Sequence, residues 1–217
     1  MGTRASPMNK RDAAAEILKR LRKTYPDAEC ELVFKDPLQL LVSTILSAQC
    51  TDVRVNEVTP ALFRKYPDAN AFARARLADL EKMIRPTGFF RNKARSILNS
   101  CTQLVMQHKG KVPVEMEYLV ALAGVGRKTA NVVRAYGFGK PGIICDTHVI
   151  RLSQRLGLTK NDDPDKIEQD LMKILPEKDW TLFSTALVWH GRRCCTARKP
   201  ACASCSLSGI CPSSGSF

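Results

Sequence analysis

The reading of the chain turns on LVALAGVGRKTANVVRAYGFG, residues 119–139. An apolar run to Leu122 gives way to Ala123-Gly124-Val125-Gly126, after which Ala130, Val132, Val133 and Ala135 resume an apolar pattern at helical spacing. Two glycines two apart permit a turn between helices too tight for a side chain. The amides of Gly124, Val125 and Gly126, with the free N–H groups that open the second helix, then form a cradle for a phosphate. Gly-Val-Gly alone fits an ordinary turn equally well, but Arg127 and Lys128 place two cations at the same point. Lys128 is unusual for a structural lysine, because the positive end of a helix dipole disfavours an ammonium. The same field, with partial desolvation, favours a neutral amine able to attack a sugar carbon and form a Schiff base. A solvated lysine on a phosphate is the alternative that spacing leaves open.

Working outward, apolar residues recur every three or four positions in RDAAAEILKRLRKTYP (11–26), TDVRVNEVTPALFRKYP (51–67), RNKARSILNSCTQLVMQHKG (91–110), DPDKIEQDLMKILP (163–176) and WTLFSTALVWHG (180–191). DPLQLLVSTILSAQ (36–49) is apolar nearly all round, as a helix in the middle of a bundle is. Only ECELVF and PGIIC look strand-like, and two isolated short strands make no sheet. The expected fold class is all-α.

Thirty-four Lys and Arg against 21 Asp and Glu leave a net charge of +13 in 217 residues, which favours a polyanionic partner through counterion release. No run reaches the ~20 apolar residues of a membrane helix, and MGTRASPMNK lacks the apolar core of a secretory signal. An intracellular protein with no membrane partner is expected, and a reducing compartment turns nine cysteines away from disulfides. Cys30, Cys50, Cys101 and Cys145 stand singly, whereas Cys195-x6-Cys202-x2-Cys205-x5-Cys211 places four thiols in a loop short enough to wrap one metal centre. Tetrahedral zinc and a [4Fe-4S] cluster both satisfy that ligand count. Arg192, Arg193, Arg198 and Lys199 make the segment basic.

Asp146, in PGIICDTHVIRL, reads as the N-cap of a helix. Gln49 closes the buried helix. In TGFFRNKA, Phe89 and Phe90 follow Gly88, Phe90 is a candidate for packing, and Arg91 and Lys93 are candidate phosphate contacts.

LAGVGRKTANVV resembles the helix-hairpin-helix of the endonuclease III family of base-excision glycosylases; SAQCTD, TGFFRNKA, CDTHVIRL and HGRRCCTARKPACASC resemble that family's other motifs, in its order. The resemblance runs from about Asp36 to Cys211. It implies a two-domain fold: a six-helix barrel over residues 30–140, and a cluster domain built from 1–29 and 141–217. It implies Lys128 as nucleophile and lyase residue, Asp146 as its catalytic partner, Gln49 as an inserting residue and Phe89 at the wedge position. It also implies a [4Fe-4S] cluster on Cys195, Cys202, Cys205 and Cys211, leaving Cys194 spare. The implied partner is double-stranded DNA carrying a damaged pyrimidine or an abasic site, met by a monomer in the cytoplasm or nucleoid. A monofunctional adenine mismatch glycosylase lacks a lysine at this position. A non-enzymatic DNA-binding or redox module needs neither Lys128 nor Asp146. Three departures from the family pattern stand out: Ala123 where proline is usual in the hairpin, Cys50 beside Gln49, and the Phe89-Phe90 pair.

Overall fold

A computed structural model of the chain describes residues 8–216. The secretory-signal reading of the first ten residues falls largely outside them. The helices are α1 (Lys10–Thr24), α2 (Pro37–Leu46), α3 (Asp52–Lys65), α4 (Ala69–Ala73), α5 (Leu77–Ile84), α6 (Phe90–His108), α7 (Met116–Val120), α8 (Arg127–Val132), α9 (Thr147–Arg155), α10 (Pro164–Ile174) and α11 (Trp180–Arg193). One-turn 3-10 helices occupy Arg85–Thr87, Glu177–Asp179, Cys202–Ser204 and Ser208–Ile210. Among the described residues there is no strand: ECELVF and PGIIC run as irregular segments, so the fold is all-α. None of the helices is long and apolar enough to cross a membrane.

The chain divides into two compact units, Cys30–Lys140 and a discontinuous one made of the residues up to Glu29 and from Pro141 onward. In the discontinuous unit, the α1 stripe of Ala14, Ile17, Leu18 and Leu21 joins Val149 and Leu152 of α9, Ile167 and Leu171 of α10, and Phe183 and Leu187 of α11 in one core. The entry to each helix is set locally. Asn9 accepts from the Asp12 amide at 2.9 Å, and Asp163 from the Lys166 amide at 2.9 Å ahead of Pro164 in the first turn.

In Cys30–Lys140, α2 is capped by Asp36 and buries every residue from Leu40 to Leu46, which makes it the central helix of its unit. Pro60 stands inside α3 without ending it. Gly110 (φ 76°) supplies the left-handed ending of α6 together with Lys109 (φ 54°). The short α4, α5 and α7 are helices that periodicity does not reveal.

Candidate functional site

The hairpin joins α7 to α8 through a turn at Ala121–Gly126 in which the Leu122 amide donates to Leu119 O and the Val125 amide to Leu122 O, each at 3.1 Å. Gly124 is obligatory twice over: its φ is +75°, and an added Cβ would lie 2.5 Å from the Cβ and Oγ of Ser96 on α6. Gly126 meets nothing within 4 Å where its Cβ would be, and no side chain caps α8. The opening of that helix is therefore clear for a group approaching the backbone. Ala123, which keeps an N–H that proline lacks, donates it to Gln103 Oε1 at 2.8 Å, while Gln103 Nε2 donates to Ala121 O at 3.2 Å. Side-chain hydrogen bonds thus hold the turn to α6. Lys128, the second residue of α8, is exposed, as is Arg127, so the partial desolvation expected of Lys128 is not found. After α8 the backbone widens into a π-helical turn at Val133–Gly137, a feature frequent near functional sites.

Asp146 belongs to the other unit and caps α9. Both capping bonds, from the His148 amide at 2.8 Å and the Val149 amide at 2.9 Å, fall on Oδ1, so capping does not consume Oδ2. A cap and a reacting carboxylate can thus be the same group.

Gln49 is exposed and left-handed (φ 53°) in the turn that follows α2. Phe89 is left-handed as well (φ 46°), precedes α6 and is 63% exposed. Phe90, expected in the packing, is half-buried with the guanidinium groups of Arg85 and Arg91 at 6.0 and 5.6 Å from its ring. Arg91 is exposed. The expectation for Lys93 as a phosphate contact is corrected. Lys93 is 5% exposed and turns inward, its ammonium donating to Leu46 O and to Thr87 O at 2.7 Å each. Its position on the apolar stripe of α6, four residues before Ile97, carries it inside.

The cysteine loop encloses one cavity, lined by Cys195, Cys202, Cys205 and Cys211 and also by Cys194, His190, Leu152, Leu156 and Leu207. Cys194, Cys205 and His190 bring ligand atoms within 4.8 Å of one another. Burial first, then the neighbouring Cys205 and Cys195, pushes the Cys194 thiol up to about 12. So many sulfurs cannot be anionic side by side without a cation among them. Donors converge from outside: Arg155 Nη1 reaches Cys195 Sγ at 3.2 Å and the Leu207 amide reaches Cys205 Sγ at 3.3 Å. Arg151 donates to Gly191 O and Cys195 O at 3.1 and 3.0 Å, and Arg155 to Thr196 O and Ala197 O at 2.9 and 2.8 Å. Thiols lining one cavity, the Arg155 guanidinium beside them and an apolar lining of leucines fit an iron–sulfur cluster, whose thiolate shell carries net negative charge. Arg198 lies exposed on the same loop.

Sequence reasoning did not single out His190, Tyr25, Arg151 or Arg155. His190 is buried and pushed down to about 4 by that burial. Its Nδ1 lies 3.0 Å from the Tyr25 hydroxyl and its Nε2 lies 3.4 Å from Cys205 Sγ. The assignment that satisfies all three groups has Tyr25 donating to Nδ1 and Nε2–H donating to sulfur. The signal for the arginines was their spacing, four apart on α9 beside Leu152 and Leu156.

Residues 42–177 match the model of the HhH-GPD superfamily base excision DNA repair proteins, and residues 195–211 match the iron–sulfur binding domain of endonuclease III. The chain is 56% identical over 206 residues to endonuclease III of Synechocystis sp., covering 94% of each chain. It is 42% identical over 195 residues to that of Bacillus subtilis, covering 89% of each. Its fold is similar, with a TM-score of 0.92, to a solved endonuclease III trapped as a covalent intermediate on DNA, at 42% identity over 96% of this chain and 99% of that one. The chain belongs to the endonuclease III family within the HhH-GPD superfamily of base excision DNA repair proteins, and its C-terminal loop is an iron–sulfur binding segment.

Proposed function

We propose that the chain is a bifunctional DNA glycosylase and abasic-site lyase of base excision repair, acting on a damaged pyrimidine flipped from duplex DNA. The observation that carries this reading is Lys128, an exposed amine at the uncapped, glycine-opened start of α8, in a chain similar to an endonuclease III trapped covalently on DNA. The Lys128 amine attacks C1′ of the flipped nucleotide, and the C1′–N bond to the base breaks as the C1′–Nζ bond forms. Ring opening gives a Schiff base, which acidifies C2′. Loss of a C2′ proton expels the 3′ phosphate by β-elimination, and water then hydrolyses the imine and returns Lys128. Asp146 stabilises positive charge developing on the deoxyribose and assists the proton transfers, with Oδ2 the oxygen that capping leaves to it.

The amides of Gly124 and Gly126 and the cation of Arg127 take the backbone phosphate, while the buried Val125, expected in the same cradle, keeps its amide on Leu122 O and shapes the turn. Gln49 and Phe89 enter the duplex, the amide imitating the edge of the base that has left and the ring stacked on the orphaned base. Arg91 and Arg198 meet neighbouring phosphates. Cys195, Cys202, Cys205 and Cys211 hold a [4Fe-4S] cluster, which when bound cross-links a basic loop that has almost no core of its own. Residues 30–140 serve as the barrel domain and the discontinuous unit as the cluster domain of an intracellular monomer; its wealth of unpaired cysteines supports a reducing compartment.

The test is borohydride trapping on a duplex containing one oxidised pyrimidine, with Lys128→Ala alongside. A covalent adduct that vanishes in the variant is expected. Absence of an adduct from holoprotein that binds the duplex favours a monofunctional or non-enzymatic role.

A further inference from the structure

Two of the three non-glycine residues with left-handed backbone among the described residues are Gln49 (φ 53°) and Phe89 (φ 46°); the third, Lys109, ends a helix. A left-handed conformation is unfavourable for a residue that carries a side chain, and persists only where the surroundings over-determine it. Both residues are exposed, so neither gains burial in return. Each follows closely on a helix end. Gln49 lies three residues beyond Leu46, the last residue of α2, and Phe89 two beyond Thr87, the last of the 3-10 turn Arg85–Thr87.

The carbonyls of those two terminal residues are the ones that Lys93 grips, Leu46 O and Thr87 O, both at 2.7 Å from one ammonium. Carbonyls at helix C-termini lack intrahelical partners and carry the negative ends of the helix dipoles, so two such ends converge on a single cation. Burial is unfavourable for that cation and lowers its pKa. A neutral hydroxyl or amide could satisfy one carbonyl with less desolvation. What an ammonium adds is three donors on one atom, enough to join two segments more than 40 residues apart in the chain.

We propose that Lys93 is a positioning residue that locks the Gln49 turn and the Phe89 turn into one preorganised unit, so that both side chains enter the duplex together when the base leaves. This rests on the reading of Gln49 and Phe89 as duplex-entering residues. Lys93 touches no DNA. It acts by fixing the backbone from which two exposed side chains project, so that binding does not have to order them separately.

The experiment compares holoprotein carrying Lys93, Lys93→Met and Lys93→Arg on two substrates. One is a duplex with a single oxidised pyrimidine opposite 2-aminopurine, whose fluorescence reports unstacking of the orphaned base. The other is a single-stranded oligonucleotide with one abasic site, which has no void to fill and needs only the Lys128 amine for borohydride trapping. Lys93→Met is expected to slow single-turnover excision on the duplex by roughly 10- to 100-fold and to suppress the fluorescence rise. Trapping on the single strand should stay within about 3-fold, because it does not use the two turns. Lys93→Arg, which keeps a cation with several donors, should recover part of the duplex rate. An equal loss on both substrates, or no loss on the duplex, would overturn the proposal. Failure of the wild-type protein to trap on either substrate would instead sink the lyase reading. Should Lys93→Met not fold, native-state hydrogen exchange on the wild-type protein decides. The Cys50 amide, bonded to Ser47 O, and the Gly88 amide, bonded to Arg85 O, are expected to exchange through one shared opening. Independent openings would contradict the lock.

Discussion

The unit Cys30–Lys140 and the segment from Cys194 to Ser216 reach order by opposite means. In the first, α2 buries seven consecutive residues, and side chains of α6 pin the backbone of neighbouring turns: Lys93 to Leu46 and Thr87, Gln103 to Ala121 and Ala123. In the second, only Leu207 is fully buried among the described residues, and regular structure is limited to short 3-10 turns. The contrast teaches where rigidity comes from. A segment with a core can hold left-handed residues exposed on its surface, whereas a segment without one depends on metal ligation and on the arginines of α9.

Removing a proposed cluster ligand strains that contrast most. Cys202→Ser is expected to abolish the visible absorbance of the cluster and to raise hydrogen exchange across 195–211 by about 100-fold or more, while α2 and α6 keep their protection. A simultaneous loss of protection in both regions would show that the cluster supports the whole chain. Asp146→Asn sharpens a different edge of the comparison. The amide oxygen can still accept from His148 and Val149, so the melting temperature should move by no more than about 2–4 °C. Excision should slow by roughly 100-fold or more through loss of the negative charge, and a large drop in melting temperature with little kinetic effect would reduce Asp146 to a cap.

Phe89→Ala removes an exposed ring. Thermal stability should stay within about 0.5 kcal/mol, and affinity for lesion duplex should fall about 10-fold, as loss of one stacking platform implies. Gln103→Ala, the smallest effect, deprives the Ala123 amide of its partner. We expect a loss of about 1–2 kcal/mol in chemical denaturation and a few-fold weaker binding to undamaged duplex. An unchanged denaturation midpoint would mean that the backbone bonds within the turn and the packing of Gly124 on Ser96 hold it without Gln103.

Much of this arrangement was legible in the sequence because the signals are local. The α1 stripe, the Asp36 and Asp163 caps with their prolines, and the Asp146 cap all appear where period and capping chemistry place them. The helices α4 and α7, five residues each, are too short to show a 3.6-residue period. The charge of Lys93 suggests a phosphate contact, whereas its register, four residues before Ile97 on a buried stripe, carries it inside. What partners it are backbone carbonyls, which no sequence pattern displays. The same holds for Gln49, whose residue type suggests a helix end while its left-handed φ is set by the turn. The cysteine spacing pointed to one metal centre, but it could not reveal that His190 and Cys194 line the same cavity. That proximity depends on how α11 meets the loop.

The most direct test is mass-spectrometric mapping of the borohydride-reduced adduct formed by wild-type holoprotein on a duplex with one oxidised pyrimidine. A deoxyribose remnant on the peptide containing Lys128, and on that residue within it, is the expected result. A remnant on another lysine, or on the N-terminal amine, would contradict the assignment of the nucleophile to the opening of α8.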